Sequence, residues 1–281
     1  MDYLYDGSFD GLLTCIYHHY YREAATGIYP QSFYQPNLLS PSMVVETDPA
    51  LADRVYRAIE EKISARALET VYHVYISSAP DKENLILGYI GLGFKMGAKV
   101  DHYHSHPAVY PVHRLERKVI GEAHRLLGLL RFADMGGFLY AVMAPDHNVL
   151  PLLGDHFAER LAGERWIIHD KKRSLAIIYN GRDSSSCKSP VRSRWYITDF
   201  SYNLEDNMPE SERRWQRLWQ TYFQKVSIES RYNPRLQSRC VPHRYRRYLV
   251  EFQIPAPGHD SETEDSRKRF PRTPSIPPHS G

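Results

Sequence analysis

Between Arg231 and Arg247 the chain carries Arg231, Arg235, Arg239, Arg244, Arg246 and Arg247 with no acidic residue between them. Tyr232, His243, Tyr245 and Tyr248 are interleaved. A guanidinium forks onto phosphate oxygens and stacks on bases, and a phenol ring offers a flat face to an unpaired base. This mixture suits single-stranded or flipped-base DNA, with Arg231, Arg235, Arg244 and Tyr245 as contact candidates. The alternative is a solvated helix whose arginines pair with carboxylates elsewhere.

A second group could do acid–base work. Asp155-His156-Phe157-Ala158-Glu159-Arg160 precedes Asp170-Lys171-Lys172-Arg173. His156 and Arg160 are four apart, hence on one helix face. The following hairpin could bring Asp170 or Arg173 beside them. A histidine with a carboxylate partner is the common form of a general base, and equally a common buried structural pair. Tyr5-Asp6-Gly7-Ser8-Phe9-Asp10-Gly11 crowds two aspartates and a serine into one turn, which makes Asp6 a further acid–base candidate. A strand-to-helix cap explains the same residue types. Glu122 and Arg125, three apart, can pair on a helix. Arg131, Arg160 and Arg173 would hold phosphate if the chain acted directly on DNA. His102, His104, His106 and His113 could meet a metal, but they read more simply as a polar loop between helices. No metal ligand set and no cofactor are assigned.

Other chemistries leave no mark. There is no Walker A loop, GxGxxG, GxSxG, HExxH or zinc-deaminase pattern. Cys15, Cys187 and Cys240 lie far apart, so a reducing, cytoplasmic setting is expected and a four-cysteine iron–sulfur cluster is not. The net charge of +3 over 281 residues does not by itself argue for nucleic acid. The opening residues do not read as a secretory signal. The apolar stretch Leu85 to Met96 is shorter than the roughly 20 residues of a spanning helix, so no membrane partner is expected.

These side chains need a frame. Residues 2–6 read as a strand, Ser8 or Asp10 as a cap, and Leu12, Leu13, Ile16 and Tyr20 as the face of a helix. Residues 26–42 read as a loop and 43–47 as a strand. Asp48-Pro49 starts a helix with Val55, Ile59 and Ile63 on its apolar face. Residues 66–78 and 82–96 read as helices, and 113–127 as a long charged amphipathic helix. Residues 129–132 and 138–143 form a hairpin around Met135-Gly136-Gly137. A helix over 149–161 and a strand pair over 165–169 and 175–179 follow. Residues 181–194 read as an exposed loop, 209–228 as a strong helix and 241–252 as a shorter one. From Ile254 onward too few apolar residues remain to offset the entropy of ordering. The expected class is α+β: a small antiparallel sheet packed against several helices, one globular domain over 1–253, and a disordered tail over 254–281.

Taken in order, the segments resemble a bacterial family described as probable DNA metabolism proteins, built on a domain of unknown function. The resemblance is carried by Tyr5-Asp6-Gly7-Ser8-Phe9-Asp10-Gly11-Leu12-Leu13, by Glu122-Ala123-His124-Arg125 running into Leu130-Arg131-Phe132, and by His156-Phe157 with Arg160. Trp166-Ile167-Ile168 with Asp170 and Arg173 comes next, then Ile228-Glu229-Ser230-Arg231-Tyr232-Asn233-Pro234-Arg235-Leu236-Gln237. Pro242-His243-Arg244-Tyr245 with Leu249, Glu251 and Phe252 closes the set. The resemblance implies a protein of DNA repair or modification, typically encoded beside a radical SAM protein described as a putative DNA modification or repair enzyme. It implies a DNA-binding accessory factor whose partner supplies the iron–sulfur chemistry. In some relatives the domain is fused to a uracil-DNA glycosylase-type domain; that part is expected to be missing here, so uracil excision is not carried over. The stretch His102 to His106, residues 182–194 and the tail depart from the family pattern, and Arg246 stands where an aromatic residue follows Arg-Tyr. Two other functions stay open: a DNA-processing enzyme using His156, Asp170 and Asp6, and a protein-interaction module whose arginines meet an acidic partner.

Overall fold

Ser8 starts the first helix as its residue type requires. Its backbone is extended and its Oγ accepts the Gly11 amide, so α1 (Phe9–Tyr21) follows directly on strand β1 (Asp2–Tyr5). The computed structural model describes residues 1–36, 41–181 and 195–253. β1 lies at the centre of a three-stranded sheet, between β2 (Gly27–Pro30) and β3 (Ser42–Val44), and both pairings are parallel. The loop expected over 26–42 therefore contains a strand. Four residues ending in proline are too few to show an alternating pattern, and Pro30 sits at the strand end where a missing amide matters least.

Asp48 caps α2 (Pro49–Lys62), Ser64 caps α3 (Ala65–Tyr75), and α4 (Lys82–Met96) follows. Helices α1 and α4 contact the three-stranded sheet, and α2 and α3 pack against them. Tyr3, Tyr5, Leu12, Leu13, Ile16, Ile59, Ile86 and Ile90 meet in the first core. The next helix, α5 (Tyr110–Leu129), serves two cores at once. Val112 and Leu115 pack into the first, while Val119, Ala123 and Leu126 pack into the second. That is one apolar stripe at helical spacing, long enough to reach from one core to the other.

The second core lies against a five-stranded sheet of β4 (Phe132–Asp134), β5 (Leu139–Met143), β6 (Trp166–Asp170), β7 (Leu175–Tyr179) and β8 (Trp195–Asp199), in that order. The two expected hairpin pairs are present. The sheet is mixed, however, because β5 pairs parallel to β6. Helix α6 (Leu150–Arg160) makes that crossover, and strands joined by a crossover helix run parallel. The single small antiparallel sheet of the sequence reading is thus two sheets, one of them wholly parallel, within an α+β fold. The first hairpin strand begins at Phe132, since α5 runs on to Leu129.

Beyond the sheet come α7 (Glu210–Val226), α8 (Pro234–Cys240) and α9 (His243–Arg246). The helix expected over 241–252 is broken: α9 is a single turn, Leu249 is extended and Val250–Phe252 is a 3-10 turn. Tyr245 and Leu249 are both buried, so tertiary anchors outweigh local helix preference there. The tail from Ile254 and residues 182–194 lie outside the described residues. Among the described residues, no helix is long and apolar enough to cross a membrane.

The mixed sheet buries a histidine. His169 is 4% exposed, and its Nδ1 lies 2.7 Å from the Tyr140 hydroxyl. Burial, then the Lys171 charge, hold its pKa below the ordinary value, although Asp170 and Glu205 pull the other way. The unfolded chain therefore takes up this proton first as pH falls. Stability is expected in full above about pH 6.5 and to decline below it, by up to about 1.4 kcal/mol per pH unit for such a histidine. His18, His19 and His147 are lowered as well, burial again leading, and add to the same decline. Urea unfolding across pH checks this: His169→Gln should flatten the curve, and an unchanged curve would remove His169 from the account.

Candidate nucleic-acid interface

Glu122 sits in the second half of α5 and is 1% exposed. A buried carboxylate must have its lone pairs filled. Its oxygens accept the amides of Asp146 at 2.9 Å and His147 at 2.8 Å, and the Tyr245 hydroxyl at 2.6 Å. One side chain thus ties the loop after β5, and α9, to α5. Arg173 holds the same loop from the sheet side. It donates to the carbonyls of Pro145 at 3.2 Å and Asp146 at 2.5 Å, and to the fully buried Asp170 carboxylate at 2.8 Å.

A groove opens over this scaffold, with a volume of 810 Å³. Arg114, Arg117, Lys118 and Arg125 of α5 line it, with Lys172 from the β6–β7 turn and Arg244 of α9. Arg114, Lys118 and Arg125 fall at i, i+4 and i+11, which at 3.6 residues per turn is one narrow stripe. The acidic groups in the lining are Glu122 and Asp146, and both are engaged. Glu122 serves the amides, and Asp146 meets the Arg244 guanidinium at 2.5 Å. Among the described residues Arg114, Lys118 and Arg125 form no ion pair, and the buried Nε of Arg125 has no hydrogen-bond partner. Glu122 is therefore not spent on Arg125, as their spacing allowed. Arg244 lies over the Tyr245 ring, 4.8 Å from its centroid. His147 is kept below its ordinary pKa by burial, against the pull of Glu122 and Asp146. Its Nδ1 accepts the Ser78 amide, so the neutral ring offers an Nε2–H donor rather than a charge. The result is a cationic trough on a rigid floor, suited to a polyanion.

Asp170, Arg173, Arg244 and Tyr245, singled out from sequence, meet around this loop. Asp170 and Arg173 form its support and Arg244 its wall. The other candidates lie elsewhere. Asp6 accepts the amide and hydroxyl of Ser8 and the hydroxyl of Thr47 at the start of α1. Burial opposes its ionisation, but those bonds leave the carboxyl below its usual value. His156 is half-buried on α6 with Nε2 unpartnered, and among the described residues no hydrogen bond joins it to Asp170 or Asp6. Arg131 binds Glu251 at 2.7 Å and the carbonyls of Gly128 and Leu130, closing the end of α5. Arg160, Arg231 and Arg235 are exposed and form no ion pair among the described residues. His113 pairs with Asp101 at 3.1 Å, and among the described residues no group of His, Cys, Asp or Glu could hold a metal ion. Sequence alone does not single out Arg114, Lys118 and Lys172; for the first two, the charge stripe on the 113–127 helix is the available signal.

Residues 80–251 match a family model described as a domain of unknown function, DUF4130. Every residue lining the groove except Ser78 falls inside that span. No curated protein and no solved structure matches the chain.

Proposed function

The chain belongs to the DUF4130 family, and from that premise we propose that it is a DNA-binding accessory factor in DNA repair or modification, working with a radical SAM enzyme. The observation that carries the DNA part is the groove. Arg114, Lys118 and Arg125 are aligned on one helix, line the trough and form no ion pair among the described residues. Phosphates are the natural counter-charge for such a row, and no base-reading side chain is needed for affinity. The partner part rests on the family resemblance and on two features of the chain. Among the described residues Cys15 is buried, with its thiol pushed up to about 12 by burial with Asp6 nearby, and Cys240 is exposed on a different element. Helix α7 also exposes Leu218, Tyr222 and Val226 along one apolar stripe, the kind of surface a protein partner covers. On this reading the protein acts in the cytoplasm.

The test is binding of the full chain to labelled single-stranded and duplex DNA across a salt series. In Arg114→Ala/Lys118→Ala/Arg125→Ala the slope of log affinity against log salt on single strands should be shallower by about 2, at about 0.7 per phosphate contact. Arg231→Ala/Arg235→Ala serves as the comparison and should change it little. No binding at low salt would end the DNA reading, and a triple variant with the wild-type slope would move the interface off the groove.

A further inference from the structure

Strand β5 divides its side chains between two faces. Ala141 and Met143 join the core beneath α5 and α6, so Tyr140 and Val142 face the opposite way. There they floor a second pocket, of 490 Å³, within the range of small-molecule sites at roughly 300–1,000 Å³. Its aromatic walls are Trp215 and Trp219 of α7 and Tyr248 just beyond α9.

Three features specify an occupant. First, Trp215 and Trp219 stand one turn apart on α7 and are 66% and 44% exposed. Two neighbouring indoles beside the Tyr248 ring suit a flat aromatic ring. Second, the cation in the lining is spent: Arg131 is bound to Glu251, so nothing here calls for a phosphate. Third, the lining keeps free acceptors, beside the Trp215 indole N–H and the Tyr248 hydroxyl, while its Glu205 is paired with Lys171. Gln216 gives an amide N–H to one Glu212 oxygen at 3.0 Å, and Gln253 gives one to the Arg247 carbonyl at 2.9 Å. Among the described residues the carbonyls of Gln216 and Gln253 and the second Glu212 oxygen accept nothing. The free Glu212 oxygen matches a donor on the ligand edge. Adenine, cytosine and guanine carry an exocyclic amino group, and a carboxylate accepts from such a group as it does from cytosine N4.

We infer that this pocket binds a single nucleobase bearing an exocyclic amino group, stacked on Trp215 and Trp219 and held at its donor edge by Glu212. The inference rests on the DNA reading and deepens it. Tyr248 follows four residues after Arg244, so one short segment joins the phosphate groove to the base pocket. A strand lying in the groove can then deliver an extruded base across that segment, as proteins that take a base out of the stack require.

The experiment uses the full chain and uncharged deoxynucleosides, with binding read by saturation-transfer NMR and calorimetry. Nucleosides lack phosphate, so the groove contributes nothing to this signal. Deoxycytidine, deoxyguanosine and deoxyadenosine should bind with Kd on the order of 1 mM, and thymidine about tenfold more weakly. Trp215→Leu/Trp219→Leu, at exposed positions, should abolish binding. Glu212→Gln should weaken deoxycytidine about tenfold and leave thymidine unchanged. Absence of binding by any nucleoside, equal binding of thymidine, binding unaffected by the tryptophan changes, or preference for tetramethylammonium in an aromatic–carboxylate cage would overturn the inference. Loss of nucleoside binding beside intact salt-sensitive DNA binding sinks the pocket alone. The reverse pattern sinks the groove alone.

Discussion

Glu122→Ala is expected to lower folding stability by about 3–5 kcal/mol, the range for breaking a buried, fully hydrogen-bonded charge site. The size follows from what is left behind. The amides of Asp146 and His147 and the Tyr245 hydroxyl lose their acceptor together, inside a space the alanine does not fill. Two of those donors are backbone groups that cannot turn away. Glu122→Gln separates charge from shape. Its carbonyl can still accept, but its amide nitrogen must then face a second donor, so a loss of about 1–3 kcal/mol is expected. Urea unfolding gives both values, and the slope with denaturant should not change if the folded state stays compact. A loss below about 1 kcal/mol for Glu122→Ala would mean that the loop is held by Arg173 without it.

What the sequence made legible was whatever its neighbours in the chain decide. Ser8 and Asp48 announce helix starts because an N-cap is a local hydrogen bond, and both cap in the structure. The long charged helix over 113–127 and the two hairpins were readable for the same reason. Strand β2, by contrast, exists because β1 offers it a partner, and nothing in Gly27-Ile28-Tyr29-Pro30 says so alone. The broken helix near Tyr245 is set by distant anchors, Glu122 for Tyr245 and Arg131 for Glu251. The site divides the same way. Arg244, Tyr245 and Arg173 were visible as residue types, but the groove arises only when α9 and the β6–β7 turn close on α5. The Arg/Tyr segment also proves to be two surfaces, since Arg244 lines the groove while Arg231 lies beside α8, against a different concavity.

Arg173→Ala should be comparably severe, at about 3–5 kcal/mol, and for a reason that tests the same design from below. Asp170 is fully buried and, among the described residues, keeps only the Lys172 amide, at 2.9 Å, once the guanidinium is gone. The carbonyls of Pro145 and Asp146 lose their donor in the same step. Arg173→Lys keeps the charge but not the planar fork, so it can satisfy one of these groups at a time and should recover part of the loss. The pair itself is isolated by Asp170→Asn/Arg173→Ala. If the main cost of the single change is an uncompensated buried charge, neutralising Asp170 should return about 1–3 kcal/mol relative to the sum of the singles. Additive losses would instead place the cost in the carbonyls. The loop carrying Asp146 and His147 would then be held by Arg173 as a hydrogen-bond donor, with its charge incidental. On either outcome Asp170 is engaged below the groove by its partners, and a role for it as a base would need those partners to release it first.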